Sequence, residues 1–253
     1  MFAPEDLTQD GFLGGRLTLA QPRAGYRSAM DAVLLAAACP ARAGQEVLEL
    51  GCGAGVASLC LGARVPGLGL TGLEVQPAYA ALARRNAAAN GLVLEVVEGD
   101  LAAMPAALRA RSFDQVIANP PYFAPFSGTA AADSGRETAQ REATPLAVWI
   151  DAALRRLRPG GYLTLIQQAE RLGDILAALP PRAGSSVVLP VAPRAGRAAG
   201  RVIVQARKGG RGPLRLLAPF VLHAAPHHAA DREDLTPEAQ AILRAGAVLT
   251  LPR

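Results

Sequence analysis

The sequence predicts an α/β domain with a doubly wound, mostly parallel sheet of seven strands. From residue 45 onward, short runs rich in β-branched residues or leucine alternate with alanine-rich helical stretches. Alternation of this kind is typical of a parallel sheet covered by helices on both faces. The chain has 253 residues, of which 51% are hydrophobic and only 4% aromatic. It can therefore bury a full core made mainly of Ala, Leu and Val.

The first 44 residues are predicted to form a short extension that packs on this core. Residues 10–19 read as a hairpin that turns at Gly14 and Gly15. A helix is then expected to open in the stretch Gly25-Tyr-Arg-Ser-Ala-Met-Asp and to run to Ala38.

The core itself is predicted over residues 45–210, and residues 211–253 are expected to extend the same domain. The extension should add a strand within 214–222 and a short helix that begins at Thr236-Pro237. The strands of the core are expected at 46–50, 68–74, 93–98, 113–118, 162–167, 186–189 and 202–206, and its helices at 55–64, 77–90, 145–157 and 170–179.

Composition excludes several classes of protein. No apolar run approaches the roughly 18 residues of a membrane span, and the N-terminus lacks the regions of a signal peptide, so we expect a cytoplasmic protein. The cysteines are too few and too irregularly spaced for a disulfide framework or a zinc site. The histidines cluster without acidic or cysteine partners, which favours solvated loop residues over metal ligands. These residues are Cys39, Cys52, Cys60, His223, His227 and His228.

The positive charge is concentrated in the C-terminal third. The net charge is +5, and no acidic residue occurs between Pro181 and Ala230. A basic face there would suit the phosphate backbone of a nucleic acid, whereas scattered, solvated arginines are the alternative. The eight cations of this stretch are Arg182, Arg194, Arg197, Arg201, Arg207, Lys208, Arg211 and Arg215.

A glycine-rich motif follows the first core strand, in Glu49-Leu-Gly-Cys-Gly-Ala-Gly. Gly51, Gly53 and Gly55 let the backbone turn tightly and approach a ligand closely at the start of a helix. A dinucleotide-binding motif would place its third glycine at position 56, which is Val56. The spacing therefore argues against NAD.

Acidic residues end the next two strands. Glu74 is placed to accept hydrogen bonds from two ribose hydroxyls, and Asp100 could accept one from an adenine amino group. Asp100 could equally be an ordinary helix N-cap. Because the carboxyl ends of parallel strands meet at one edge of a sheet, Glu49, Glu74 and Asp100 are expected to lie at the same edge.

The fourth core strand runs into Asn119-Pro-Pro-Tyr122. Both prolines fix their own φ, lack an N–H and push the preceding residue out of the helical region. The result is a rigid lip whose acceptors, the Asn119 side-chain carbonyl and the Pro120 backbone carbonyl, have few local donors. We expect this lip to accept hydrogen bonds from a ligand, although a proline-rich strand exit that packs an aromatic is the structural alternative.

In this order and at these intervals, the motifs resemble the class I S-adenosylmethionine-dependent methyltransferases that act on amino groups. The pattern spans residues 45–167. More narrowly, Gly25-Tyr-Arg-Ser-Ala-Met-Asp-Ala-Val-Leu-Leu and the segment Pro-Tyr-Phe resemble the bacterial tRNA1(Val) (adenine-N6)-methyltransferase family, whose members modify the adenosine just 3′ of the anticodon. The resemblance implies a Rossmann-like fold, S-adenosylmethionine as cofactor and an RNA substrate, most often tRNA. The basic C-terminal third, from about residue 181, departs from the shorter members.

The resemblance also implies roles for individual residues. Asn119 Oδ1 and the Pro120 carbonyl would each accept one N6 hydrogen and turn the nitrogen lone pair towards the methyl group, while Tyr122 would stack on the extruded base. The catalytic set is Asn119, Pro120, Pro121 and Tyr122. The cofactor contacts are expected from Arg27, Asp31, Glu49, Gly51, Cys52, Gly53, Gly55, Glu74, Val75, Asp100, Leu101 and Asn119. Substrate contacts are expected from Tyr122, Phe123, Arg136 and Arg141, with solvated positions as the alternative for the two arginines.

The lip motif also occurs in other methyltransferases. Enzymes that methylate a glutamine amide in release factors normally carry a helical domain ahead of the glycine loop, where this sequence predicts only a hairpin and one helix, so this activity is kept as a lower-ranked alternative. DNA adenine enzymes usually carry a sizeable recognition domain, for which we expect no room. Guanine-N2 rRNA methyltransferases are the main alternative. A non-catalytic RNA-binding module would keep the glycine loop and the basic face without turnover.

Overall fold

The structure is a computed structural model that describes residues 2–121, 144–179, 183–225 and 234–252. Four of the predicted substrate or catalytic residues and two of the histidines lie outside the described residues. They are Tyr122, Phe123, Arg136, Arg141, His227 and His228.

The centre of the fold is one large sheet, in which all seven predicted core strands are present. Its strands are β3 Glu46–Leu50, β4 Gly69–Glu74, β5 Glu95–Glu98, β6 Phe113–Ala118, β7 Leu157–Gln168, β8 Ala183–Arg194, β9 Arg201–Lys208, β10 Arg215–Leu216 and β11 Phe220–His223. They lie in the order β10-β8-β9-β7-β6-β3-β4-β5, with β11 also paired to β8. The strand β9 is antiparallel to both of its neighbours, and the other pairs are parallel.

The sheet is larger than the seven strands that the sequence predicts. The strand β8 runs from Ala183 to Arg194, well beyond the predicted 186–189. The strand β10 pairs in parallel with Val187 and Val188, and β11 pairs in parallel with the additional residues from Val191 to Arg194. The predicted C-terminal strand within 214–222 is therefore present as two short pieces of the same sheet.

Helices cover both faces of the sheet, as predicted. Successive strand residues alternate between two separate cores: Val47 belongs to one, and Leu48 and Leu50 belong to the other. The helices are α1 Met30–Ala38, α2 Val56–Arg64, α3 Pro77–Ala89, α4 Ala106–Arg109, α5 Leu146–Arg156, α6 Leu172–Ala178 and α7 Pro237–Ala245. Residues of α1, α2 and α3 belong to the first core, and residues of α5 and α6 belong to the second.

The predicted N-terminal hairpin consists of β1 Leu7–Phe12 and β2 Leu17–Pro22. It turns at Gly14 and Gly15, whose φ values of 67° and 90° favour glycine. The first helix begins at Met30, within the predicted stretch, and ends at Ala38. Residues 23–29 form an irregular segment between the hairpin and the helix. No helix among the described residues is long and apolar enough to cross a membrane.

Two asparagines, Asn86 within α3 and Asn90 just after its end, hold the edge of the hairpin. The buried Asn86 accepts from Ala20 N (2.8 Å) and donates to the carbonyls of Ala20 and Ala54, both at 3.0 Å. Asn90 makes the same pair of bonds to Thr18 at a more exposed position. Asn86 therefore joins the hairpin to the loop that contains Ala54, which is the glycine-rich loop.

We expect Asn86→Ala to lower the free energy of unfolding by about 2–4 kcal/mol, because it leaves buried N–H and C=O groups without partners. Asn90→Ala is the matched control and should cost about 1 kcal/mol or less, because water can replace its bonds. Urea denaturation of both variants measures the difference. Equal costs at the two positions would contradict this account of the hairpin.

Candidate active site

A cleft opens at the carboxyl ends of β3, β4 and β6. The strand β3 has β4 on one side and β6 on the other. The sheet order therefore reverses here, which is where doubly wound folds bind ligands. The cleft is lined by Tyr26, Gly51, Gly53, Glu74, Val75, Gln76, Tyr79, Asn119, Pro121 and Trp149.

The glycine-rich loop forms the floor of the cleft. Gly51, Gly53 and Gly55 have φ values of 64°, 53° and 85°, a region that side chains with a Cβ rarely adopt. A Cβ on Gly51 would also lie 2.6 Å from the Trp149 ring. The indole of Trp149 therefore packs directly on the loop, and its buried Nε1 has no hydrogen-bond partner among the described residues.

Glu74 joins the loop to the end of β4. Its Oε2 accepts from Gly53 N at 2.8 Å, and its Oε1 accepts from Gln76 N at 2.9 Å. Burial raises the pKa of Glu74 above its ordinary value, and the backbone N–H groups act in the opposite direction. Each oxygen can still accept another hydrogen bond. The neighbouring Val75 exposes 54% of its surface at the cleft and offers an apolar contact there.

Glu49 lies beneath the loop and supports the first turn of α2. Its Oε2 accepts from Ser58 N at 2.9 Å and from Ser58 Oγ at 2.5 Å, which satisfies a backbone donor that the helix itself cannot pair. Burial raises the pKa of Glu49 to about 8, and the charge of Glu74 adds to this. Cys52 is buried against Gly72. Direct cofactor contacts from Glu49 and Cys52 stay a prediction, since neither side chain lines the cleft.

The predicted lip follows β6 at the rim of the cleft. Asn119 donates through Nδ2 to the Tyr26 hydroxyl at 3.3 Å. Asn119 Oδ1 is buried and has no partner in the described part of the chain. This acceptor matches the expectation, but the Pro120 carbonyl does not, because Gln167 Nε2 donates to the carbonyls of both Pro120 and Pro121 at 3.2 Å. The sequence did not single out Gln167, which ends up beside the lip through the pairing of β6 with β7.

Tyr26 covers the glycine loop from the irregular segment before α1. Its ring would lie 3.8 Å from a Cβ on Gly53. The Tyr79 hydroxyl accepts from Tyr26 N at 2.9 Å and donates to Tyr26 O at 3.0 Å, so α3 holds this segment in place. Burial raises the pKa of Tyr26 to about 12. Its hydroxyl therefore remains protonated at neutral pH.

Arg27 and Asp31, which are predicted to contact the cofactor, bind other residues in the structure. Arg27 turns towards the hairpin, where it binds Asp10 Oδ2 at 2.6 Å and Thr8 Oγ1 at 2.7 Å. Asp31 accepts from Arg201 Nε at 3.0 Å. Neither residue lines the cleft. Both side chains attach the N-terminal segment to its neighbours, and their contact with a cofactor stays a prediction.

Asp100 lies at the end of β5, on the same edge of the sheet as Glu74. It is exposed, and its Oδ1 accepts from Ala102 N at 2.8 Å. Asp100 therefore caps a turn, while α4 begins later, at Ala106. Leu101 is partly buried against the second core. Their contact with a cofactor stays a prediction.

The basic residues of the C-terminal third are divided between the two edges of the sheet, because β8 and β9 run in opposite directions. Arg194, Arg197 and Arg201 lie at the edge that carries the cleft, since Arg201 pairs with Gln168 at the end of β7. Arg207 and Lys208 lie at the far edge. The single basic face that we expected is therefore wrong for the described residues.

The prediction that the histidines have no acidic partner is wrong for His223. Its Nδ1 lies 2.6 Å from Asp234 Oδ1, and Arg194 binds the other oxygen of the same carboxylate, also at 2.6 Å. These contacts join β8, β11 and the start of the C-terminal helix segment. Among the described residues, no group of His, Cys, Asp or Glu is arranged to hold a metal ion.

The fold and the cleft together define a class I methyltransferase: a doubly wound sheet with one antiparallel strand, a glycine loop after β3, an acid at the end of β4 and Asn-Pro-Pro after β6. The chain belongs to the methyltransferase small domain family, whose model matches residues 28–176.

Two relatives are named tRNA1(Val) (adenine(37)-N6)-methyltransferase. The protein of Dickeya chrysanthemi is 29% identical over 216 residues, which cover 84% of this chain and 85% of that protein. The protein of Porphyromonas gingivalis ATCC 33277 is 35% identical over 175 residues, which cover 66% and 68% of the two chains.

Solved structures share the fold. The crystal structure of a predicted O-methyltransferase from Agrobacterium tumefaciens has a TM-score of 0.70 at 29% identity and covers 87% of this chain and 98% of its own. A 16S rRNA N2 G1207 methyltransferase from Thermus thermophilus, solved with AdoMet and guanosine, has a TM-score of 0.54 at 21% identity, with coverage of 80% and 50%.

The raised pKa of Glu49 predicts a pH-dependent stability. The folded-state pKa of about 8 exceeds the ordinary value of 4.5, so the folded protein binds the extra proton between these values. The free energy of unfolding should therefore fall as the pH rises from about 5 to 8, by at most about 1.4 kcal/mol per pH unit from this group. Glu49→Gln should remove that part of the slope in urea denaturation.

Glu170→Gln, at an exposed position, is the control and should keep the slope of the unmodified protein. A stability difference between Glu49→Gln and the unmodified protein that stays constant from pH 5 to pH 8 would contradict the prediction.

Proposed function

We propose that this protein transfers the methyl group of S-adenosylmethionine to the N6 amino group of an adenine in RNA, specifically in tRNA. The observation that carries the proposal is the buried Oδ1 of Asn119, an acceptor without a partner in the described chain, next to the Pro120 carbonyl at the rim of the cleft. Buried acceptors are normally satisfied, so an unpaired one at a ligand cleft indicates a donor supplied by the ligand.

The residues of the cleft fit the cofactor. Gly51 and Gly53 leave room for it, because neither carries a Cβ. Glu74 keeps an acceptor site on each oxygen for two ribose hydroxyls, and Val75 offers an apolar surface beside it. When bound, S-adenosylmethionine supplies an electrophilic methyl group on a positively charged sulfur. Glu74 is the acidic side chain that lines the cleft.

The lip supports an amino group as the acceptor of the methyl group. An exocyclic amine is a weak nucleophile because its lone pair is delocalised into the ring. Asn119 Oδ1 and the Pro120 carbonyl would each accept one amine hydrogen, which turns the lone pair out of the ring plane and stabilises positive charge as it develops on the nitrogen. No strong general base is needed, since the methylated nitrogen loses its extra proton readily.

Two acceptors also favour an amine over a hydroxyl. An amino group has two hydrogens to donate and a hydroxyl has only one. A hydroxyl can therefore bond to Asn119 Oδ1 or to the Pro120 carbonyl, but not to both at once. The pair of acceptors therefore supports N-methylation, although one protein of similar structure is described as a predicted O-methyltransferase.

The choice of tRNA rests on the relatives and on charge. The two relatives described above are named for an adenine of tRNA1(Val). Arg197 is exposed at the edge of the sheet that carries the cleft, where it can bind a phosphate. An enzyme with this substrate acts in the cytoplasm. Mass spectrometry of nucleosides from methylated tRNA tests the base: N6-methyladenosine is expected, and N2-methylguanosine would favour guanine instead.

We expect Asn119→Ala to lower kcat by about 100- to 1,000-fold, the range for loss of one donor or acceptor aligned with the transition state. The dissociation constant of S-adenosylmethionine should change less than about threefold. Methyl incorporation into bulk tRNA and calorimetry measure the two quantities. Asn90→Ala, which removes an asparagine outside the cleft, should retain full activity. Undiminished transfer by Asn119→Ala would exclude the proposed role of the lip.

We expect Glu74→Ala to weaken the binding of S-adenosylmethionine by at least about 10-fold, because hydrogen bonds to a charged group contribute roughly 1.5–3 kcal/mol. Glu98 is the matched control. It pairs with Glu74 in register on β5 but binds Arg84 at the surface, so Glu98→Ala should bind as the unmodified protein does. An unchanged calorimetric affinity in Glu74→Ala would refute the ribose contact.

A further inference from the structure

We propose that Gln167 and Tyr26 are positioning residues for methyl transfer, which hold the two acceptors of the lip from two separate elements of the fold. Gln167 fixes the peptide groups of Pro120 and Pro121, and Tyr26 fixes the side chain of Asn119. The inference rests on the proposed function, because it concerns the orientation of groups that would bind the amine.

The register of the sheet brings Gln167 to the lip. Ala118 at the end of β6 pairs with Leu165 on β7. Two residues further along both strands, Pro120 therefore lies level with Gln167. The prolines have no N–H and cannot continue the backbone ladder, but their carbonyl oxygens still require donors. The side-chain amide of Gln167 supplies these donors in place of the backbone.

Both the nitrogen and the oxygen of the Gln167 side-chain amide are hydrogen-bonded. Its Nε2 donates to the carbonyls of Pro120 and Pro121 at 3.2 Å each, and its Oε1 accepts from Gln168 N at 2.8 Å. The side chain is fully buried, so water does not compete for these bonds. One amide group therefore sets the planes of two successive peptides. A carbonyl oxygen has two lone pairs, so Pro120 O retains a site for an amine hydrogen.

Tyr26 orients the other acceptor of the lip, which is Asn119 Oδ1. The terminal torsion of an asparagine side chain is broad, so Asn119 needs a partner to hold its amide in one orientation. The Tyr26 hydroxyl is that partner for Nδ2, at 3.3 Å. Because Tyr26 occupies the nitrogen end, Oδ1 is left as the unpaired end. Tyr26 is itself held through its backbone by Tyr79.

A purely structural role for Gln167 would lower stability without a specific effect on turnover. Gln205 provides the comparison. It is also buried, lies on the neighbouring strand β9, and donates through Nε2 to Ala38 O and to Thr164 Oγ1, both at 3.3 Å. Gln167→Met and Gln205→Met each remove two donated bonds and keep the length of the side chain, but only the first touches the lip.

The experiment measures kcat and KM with bulk tRNA, the dissociation constant of S-adenosylmethionine and the melting temperature for both variants. We expect kcat of Gln167→Met to fall roughly 10- to 100-fold, as for small misplacements of reacting groups, with KM and cofactor affinity within about threefold. The melting temperature of Gln205→Met should fall by a similar amount, while its kcat stays within twofold of that of the unmodified protein. A Gln167→Met enzyme with kcat within twofold, or an equal loss in Gln205→Met, would overturn the proposal.

Tyr26→Phe is the second test, in case Gln167→Met does not fold. It keeps the ring over the glycine loop and removes only the hydroxyl. We expect kcat to fall by about 3- to 10-fold at unchanged cofactor affinity, whereas an unchanged kcat would remove Tyr26 from the proposal.

A further readout separates this inference from the proposed function. If the unmodified protein does not methylate tRNA, the proposed function fails. Crystal structures of the unmodified protein and of Gln167→Met then still test the inference: the Pro120 carbonyl should turn from its original direction in the variant, and an unmoved carbonyl would refute the positioning role.

Discussion

The hydrogen bond from Gly53 N to Glu74 Oε2 is the interaction on which the cleft depends, because it joins the ends of two neighbouring strands at the level where the chain leaves the sheet. The register of β3 places Leu50 beside Leu73 on one side and beside Ala118 on the other. Three strands therefore end at one height. The glycine loop, the acid and the lip then follow at the same level, and a ligand can touch all three at once.

This arrangement buries two carboxylates close together. Burial raises the pKa of both, and each is compensated by N–H or O–H donors: Glu74 by Gly53 and Gln76, and Glu49 by Ser58. Such compensation limits the cost of desolvation. Because the pKa of Glu49 is about 8, this carboxyl is mostly protonated at neutral pH and adds little negative charge to the loop. The glycine spacing remains the argument against a dinucleotide cofactor.

The sequence was sufficient for the parts of the site that depend on local chemistry. The strands, the glycine loop, Glu74 at its strand end and Asn119 as an acceptor are where their patterns predict them. It was not sufficient for contacts made across the fold. Arg27 binds Asp10, 17 residues away, and Gln167 reaches Pro120, 47 residues away. Nothing in a strand-ending glutamine distinguishes one that supplies donors to a proline carbonyl from one that faces water.

The N-terminal extension contributes to the site as well as to packing. Gln21 accepts from Ser28 N at 2.7 Å and donates to Ser28 O at 3.0 Å, which fixes the segment that carries Tyr26 to the hairpin. Asn86 joins the same hairpin to the glycine loop. The orientation of Asn119 thus depends, through Tyr26, on residues of the N-terminal extension. The end of this extension at residue 44 stays a prediction. A deletion of the hairpin would free the Tyr26 segment, and with it the amide on which the proposed chemistry relies.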